Sequence, residues 1–181
     1  SVLHDATGQL SILSLLQGDD DSHPGMGLSN VVIENLTFTG SSADYSVAGR
    51  AAIWAGAAAV SHAAKNCRIC GCFFFGVDTT AIGGTFTGST FSRNVIDVTG
   101  EHGVYMADCE DCTISDNHIA NAGHVGSGGQ RGIKIAGCST RVISGNTIIA
   151  PEHSGIVLDR ASVDCVVSNN SVSDCPAYGI R

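Results

Sequence analysis

The sequence predicts an all-β solenoid, a stack of parallel coils spaced about 22–29 residues apart along the chain. Three observations predict it. A short phrase recurs: "GVYM" at Gly103, "GIKI" at Gly132 and "GIVL" at Gly155, with relatives "AIWA" at Ala52, "AIGG" at Ala81 and "GI" at Gly179. An asparagine falls late in each unit, at Asn94, Asn117, Asn146 and Asn170. Glycine is abundant, at 23 residues against 3 prolines, and charged residues are only 14%, the balance of compact, turn-rich β structure rather than helix.

The repeated phrases are separated by 29, 22, 29, 23 and 24 residues. A period in the twenties with short alternating apolar runs leaves no room for a helix in each unit. Leucine-rich repeats share this length but require leucine at fixed points. Here those points hold Ile, Val and Cys, which favours strands. Within a phrase such as "GIKI" the second and fourth residues face the core and the third faces outward. The recurring Asn is expected at a sharp bend, where it tolerates a left-handed backbone and where stacked amides hydrogen-bond from coil to coil. Cys72 holds that place in "CGCFF", and Asn35 in "IENLTF" is expected to hold it one coil earlier. The stretch "SHAAKN" from Ser61 is expected to be a bent or loosely built part of its coil.

From Asn30 to Arg181 these phrases resemble the repeats of the right-handed parallel β-helix superfamily, the pectate-lyase-like proteins. The resemblance implies coils stacked at about 4.8 Å, the distance between neighbouring strands. Such scaffolds carry lyases, hydrolases, epimerases and non-catalytic proteins, so they do not fix an activity. The commonest implied function is recognition or degradation of a polysaccharide, as in viral tailspikes that act on bacterial surface glycans. A tailspike would be a homotrimer found on the virion surface. A secreted polysaccharide lyase or epimerase is the alternative, and a non-catalytic structural or decoration protein is a third. The chain reads as one β-helix domain over residues 1–181. The missing initial methionine, and "GIR" closing on what reads as mid-strand, lead us to expect a piece of a longer β-helix protein.

Composition narrows the partners. A net charge of −8 disfavours nucleic acid, which requires clustered Lys and Arg. Apolar runs such as "AAIWAGAAAV" are too short for a bilayer-spanning helix, so no membrane partner is expected. No cofactor motif is present. Eight cysteines include two C-x-x-C pairs, Cys67/Cys70 and Cys109/Cys112, the spacing of a zinc knuckle. Counting back five residues from the Asn column, however, reaches Cys67, Cys112 and Cys165, all at inward positions, so buried free thiols are the expectation. Cys109 and Cys138, each six residues after a repeat glycine, are the one pair placed to form a bond between coils. A fully reduced set would fit folding in a reducing compartment.

The outward column of the repeated phrase reads Trp54, Gly83, Tyr105, Lys134 and Val157. The residues just before each glycine add Glu101 and His102, Gln130 and Arg131, then His153 and Ser154. Stacking brings these groups onto one patch suited to an acidic sugar. Arg131 and Lys134 could neutralise a uronate carboxylate, His102 or His153 could remove the adjacent proton, and Tyr105 could protonate the leaving oxygen. Trp54, Glu101, Gln130 and His124 are the candidate substrate contacts. Hydrolysis would need two carboxyl groups flanking the bond, for which Glu101 with Glu152 or Asp159 are the candidates.

Two loops complete the pattern. The segment between Asn117 and Gly132 is longer than its counterpart in the next coil, and its glycines predict a protrusion carrying His118 and His124 beside the patch. The acidic run "QGDDDSHPGMG" lacks the spacing and closing Glu of a calcium loop and reads as a solvated turn, so no metal site is expected.

Overall fold

The computed structural model describes residues 2–4, 13–14, 16–17, 26–40, 51–55, 63–124 and 129–181. Each full coil visits three parallel sheets in turn. A strand of the third sheet such as Glu110–Ser115 leads to His118–Ala122 in the first sheet and then to Arg131–Ala136 in the second. Among the described residues the first and second sheets have seven strands each and the third has eight, all parallel, with one short antiparallel pair, Leu16–Gln17 with Met26–Gly27. The three repeated phrases stack in register: Val104 pairs with Ile133 and Ile133 with Ile156, while Tyr105 pairs with Lys134 and Lys134 with Val157. This is the expected right-handed parallel β-helix.

The core is a bundle of side-chain columns running along the solenoid axis. Phe38, Phe74, Ile96, Ile119 and Ile148 form one, successive members paired in register and each fully buried. Phe38 and Phe74 stack nearly flat with ring centroids 4.8 Å apart, the coil spacing itself. The repeated glycine has a steric cause. A Cβ on Gly132 would lie 2.5 Å from Ile148 Cγ2 and 2.9 Å from the carbonyl oxygen of Gly155, and Gly103 and Gly155 are equally crowded. The second sheet approaches the first so closely at this corner that a side chain cannot fit.

Asn94, Asn117 and Asn146 are buried and, with half-buried Asn170, form a continuous ladder. The Oδ1 of Asn117 accepts the backbone N–H of Asn94 at 3.0 Å, and Asn146 and Asn170 repeat the arrangement for the next two coils. Two details differ from the sequence expectation. The left-handed residue of the corner is the one before the Asn, as at Arg93, Asp116 and Asn169, with φ of 55–56°. And Asn35 is out of the column: Thr37 pairs with Phe73, so Leu36 faces Cys72 and Asn35 is the left-handed residue. The corner needs one left-handed residue and one inward side chain, and the sequence expectation merged the two roles.

A second ladder runs through sulfur. The backbone N–H of Phe86 donates to Cys109 Sγ at 3.2 Å, that of Cys109 to Cys138 Sγ at 3.3 Å, and that of Cys138 to Ser162 Oγ at 3.4 Å. All eight cysteines are free, including Cys109 and Cys138. Cys67 faces inward while Cys70, three residues on, donates to Glu34 Oε1 on the outside of the sheet, because alternation along a strand separates them. Among the described residues no three His, Cys, Asp or Glu come together to hold a metal ion. The strand Ala64–Lys65 belongs to the third sheet, so the end of "SHAAKN" is ordered. The acidic run at residues 18–25 and the loop centre at residues 125–128 lie outside the described residues.

Candidate functional site

The outward column of the second sheet is continuous: Trp54 pairs with Gly83, Gly83 with Tyr105, and Tyr105 with Lys134. The missing side chain at Gly83 is what lets the neighbouring indole settle there. Trp54 Cζ3 lies 3.3 Å from the point a Cβ on Gly83 would occupy. One coil further, Lys134 Nζ sits 5.2 Å from the centre of the Tyr105 ring, a cation–π contact. The column therefore presents an indole, a phenol and an ammonium in succession, all half-buried.

Groups at the start of the strands flank this column. His102 stands 5.5 Å from the Tyr105 ring, centre to centre. Its Nδ1 accepts the backbone N–H of Arg131 at 3.0 Å, so the ring proton resides on Nε2. Burial, reinforced by the Lys134 and Arg131 charges, lowers the His102 pKa to about 3. The imidazole is thus neutral and offers a donor, which removes His102 from the role of proton acceptor expected for it. His153, on the coil after that of Arg131, has Nδ1 2.8 Å from Ser154 Oγ.

Burial pushes the Tyr105 hydroxyl up, keeping its proton. Burial and then the Arg131 charge push the Lys134 amine down, opposed by Asp159 and Glu101. The Glu101 carboxyl is raised by burial, against a hydrogen bond from Thr80 Oγ1 and the Lys134 charge. Arg131 donates from Nη1 to the carbonyl of Gly129, while its Nε is buried without a hydrogen-bond partner.

Four of the expected positions are buried or lie off this face. Gln130 is only 6% exposed, and its Oε1 accepts the N–H of Gly129. Val157 occupies an outward position yet is 3% exposed, and it ends the accessible column. His124 is exposed and lines a cavity of about 220 Å³ with Asn121, Gly123, Ala150 and Glu152. His118 projects from the outer face of the first sheet, beside Val95 and Thr147, away from the patch.

Sequence reasoning missed Arg141. It lies in register between Cys112 and Cys165, at the inward position of the third sheet, and is 1% exposed. The signal was available, since counting back five from Asn146 reaches Arg141 as the same count from Asn117 reaches Cys112.

A stacked, three-sided parallel coil with a corner Asn ladder defines the protein class, and comparison with known proteins agrees. Residues 27–181 match the family model described as "Right handed beta helix region", and the chain belongs to that family. Among solved structures it is similar to that of a "putative glycosyl hydrolase" from Parabacteroides merdae, at 16% identity and a TM-score of 0.54, covering 86% of this chain and 80% of the other. At that identity the likeness concerns the fold. No curated protein matches.

Proposed function

We propose that this β-helix acts on polysaccharide, and that the outer face of its second sheet holds an acidic oligosaccharide. One observation carries the proposal: the in-register column Trp54–Gly83–Tyr105–Lys134, with Arg131 at its edge. Aromatic faces suit the apolar faces of sugar rings, and Arg131 and Lys134 supply two cations in an otherwise acidic chain. The two cations repel each other, and a bound carboxylate relieves that repulsion. The β-helix family and the description of the Parabacteroides neighbour support the sugar as substrate class.

The residues also support a division of labour for β-elimination. Arg131 and Lys134 neutralise a uronate carboxylate, which acidifies the neighbouring C–H. His153 takes that proton, the neutral His102 donates a hydrogen bond from Nε2, and Tyr105, held protonated, delivers its proton to the leaving oxygen. The finer reading, a trimeric tailspike-type depolymerase on bacterial surface glycan, extends the same proposal and predicts a mass of three chains in sedimentation equilibrium.

The test is calorimetric titration with an acidic and a neutral oligosaccharide at two salt concentrations, followed by product analysis. Arg131→Ala should weaken acidic-glycan binding about ten- to a hundred-fold, as expected for losing one partly desolvated charge-assisted contact of about 1.5–3 kcal/mol. The loss should shrink as salt rises. Unchanged affinity in this variant removes the patch from consideration. Binding without an unsaturated, ultraviolet-absorbing product makes it a recognition surface without elimination chemistry.

A further inference from the structure

The outer face of the first sheet carries an apolar surface that the second-sheet site does not use. Phe73 and Phe75 project from one strand at 39% and 47% exposure, with ring centroids 6.2 Å apart and planes within 11° of each other. Val95, in register beside Phe73 on the next coil, is exposed as well. Two phenyl rings left side by side in water forgo the burial that apolar side chains ordinarily gain, and such a patch marks a contact surface.

Polar groups continue this surface into a cavity. Asp97 is the register partner of Phe75, and its Oδ1 accepts a hydrogen bond at 2.9 Å from Asn121 Nδ2, one coil further on. At the exit of the first sheet each of these coils holds one left-handed residue, Gly76, Val98, Asn121 and Ala150 in turn, with φ of 47–60°. This bulge takes Asn121 out of the strand's alternation and sets its side chain outside, beside Asp97. Asn121 borders the cavity of about 220 Å³ whose wall includes Glu152. The Oε2 of Glu152 is buried with no hydrogen-bond partner, so that wall holds an acceptor in need of a donor. From Phe75 to Glu152 the surface crosses three coil spacings, about 14 Å.

We infer that this face is a second glycan-binding site, a phenyl platform leading to a small cavity, and that it takes a neutral oligosaccharide. It shares the sugar class with the second-sheet reading and none of its residues. Charge decides the kind of sugar. Among the described strands of the first sheet, no outward position from Thr37 to Ser173 holds Lys or Arg, while Asp97 and Glu152 supply two carboxylates, so an anion finds no counter-charge there. The C–H faces of a sugar ring pack on phenyl groups, and its hydroxyls supply the donors that carboxylate and amide oxygens accept. The cavity is smaller than the about 300 Å³ at which pockets for drug-sized ligands begin, room for a single sugar ring. A protein partner fits less well. A stable interface takes about 800 Å² from each side, whereas the apolar patch stops at Val95 and the column continues with His118, Thr147 and Ser171.

The test is an array printed with neutral hexose and with uronate oligosaccharides, probed with the 181-residue chain and followed by calorimetric titration of the glycans retained. We expect wild type to retain neutral glycans with an affinity that does not change with salt. Phe75→Ala and Asn121→Gly should each weaken that binding about ten-fold or more. Arg131→Ala, on the second sheet, should leave it within about two-fold. Phe75 and Asn121 are exposed, and glycine suits the left-handed position, so both variants should keep the wild-type urea midpoint to within experimental error. No neutral glycan retained by wild type, unchanged affinity in both first-sheet variants, or loss of neutral binding with Arg131→Ala overturns the inference. An array that retains uronates alone, and loses them with Arg131→Ala, upholds the second-sheet site and rejects this one. Self-association in sedimentation that Phe75→Ala abolishes makes the face a contact between copies of the chain and likewise overturns it.

Discussion

The Nδ1 atom of His102 accepts the backbone N–H of Arg131 at 3.0 Å, joining two coils at the edge of the candidate site. This one bond sets the tautomer of the imidazole, and burial with two nearby cations keeps it neutral. The pH behaviour of the fold follows from it. Because the His102 pKa drops from 6.5 to about 3 on folding, the unfolded chain binds the extra proton first as pH falls. Stability attributable to His102 is therefore complete above about pH 6.5 and declines towards about pH 3, at up to about 1.4 kcal/mol per pH unit. Urea unfolding of wild type and His102→Asn between about pH 5 and 7 should show the extra slope in the wild type alone. Parallel curves would mean that His102 is not held neutral.

Lys134 Nζ sits 5.2 Å from the centre of the Tyr105 ring, which belongs to the proposed glycan surface. Tyr105→Phe keeps the ring and should leave acidic-glycan affinity within about two-fold, while Tyr105→Ala should reduce it about ten-fold through loss of the aromatic contact. If elimination occurs, Tyr105→Phe should cut the rate about a hundred-fold or more without that loss of affinity, since only the proton donor is gone. Equal effects of the two substitutions on binding would argue against ring contact with the sugar.

Asn117 is the centre of the corner ladder. It accepts from the backbone and side chain of Asn94 and donates to Phe91 O and Asn146 Oδ1. Replacement by Ala strands the buried Asn94 N–H, costing about 1–3 kcal/mol, and removes the side-chain bonds to Phe91 O and Asn146 Oδ1, while Asn146 Oδ1 keeps the backbone N–H of residue 117. Asn117→Ala should lose about 2–4 kcal/mol in urea unfolding, whereas substitution of exposed Asn169 by Gly, in its left-handed position, should be close to neutral.

Gly132 tests the close approach of the second sheet to the first. A methyl group there meets Ile148 Cγ2 at 2.5 Å and the Gly155 carbonyl at 2.9 Å, so Gly132→Ala should destabilise by about 1–3 kcal/mol or more. Adding Ile148→Ala removes one of the two clashes, and the double variant should be less destabilised than the two single effects combined. Strict additivity in a melting or urea series would show that the crowding is relieved elsewhere.

The repeat was legible because it is written in the sequence once per coil. "GVYM", "GIKI" and "GIVL" carry inward Val104, Ile133 and Ile156 at one position, and stacking in register follows from burying that column. The placement of Tyr105 against Lys134 was legible for the same reason. Asn35 was misplaced because the left-handed corner and the inward ladder are adjacent roles, and an Asn suits both. Gln130, a candidate substrate contact, is buried because alternation ends where the strand ends, and a residue outside a strand has no face until its neighbours pack.

By itself the sequence determined the all-β solenoid, its parallel register and the outward column of the second sheet, because each depends on periodicity alone: side chains alternate along a strand, and equivalent positions stack between coils. The tertiary structure alone decided the chemistry of those positions. The backbone N–H of Arg131, 29 residues along the chain from His102, chooses the imidazole tautomer, and enclosure by three sheets turns Arg141 from one more charged residue into a buried cation among thiols. Protonation depends on solvent exclusion and on neighbours brought together from different coils, and neither quantity exists until the coils have stacked.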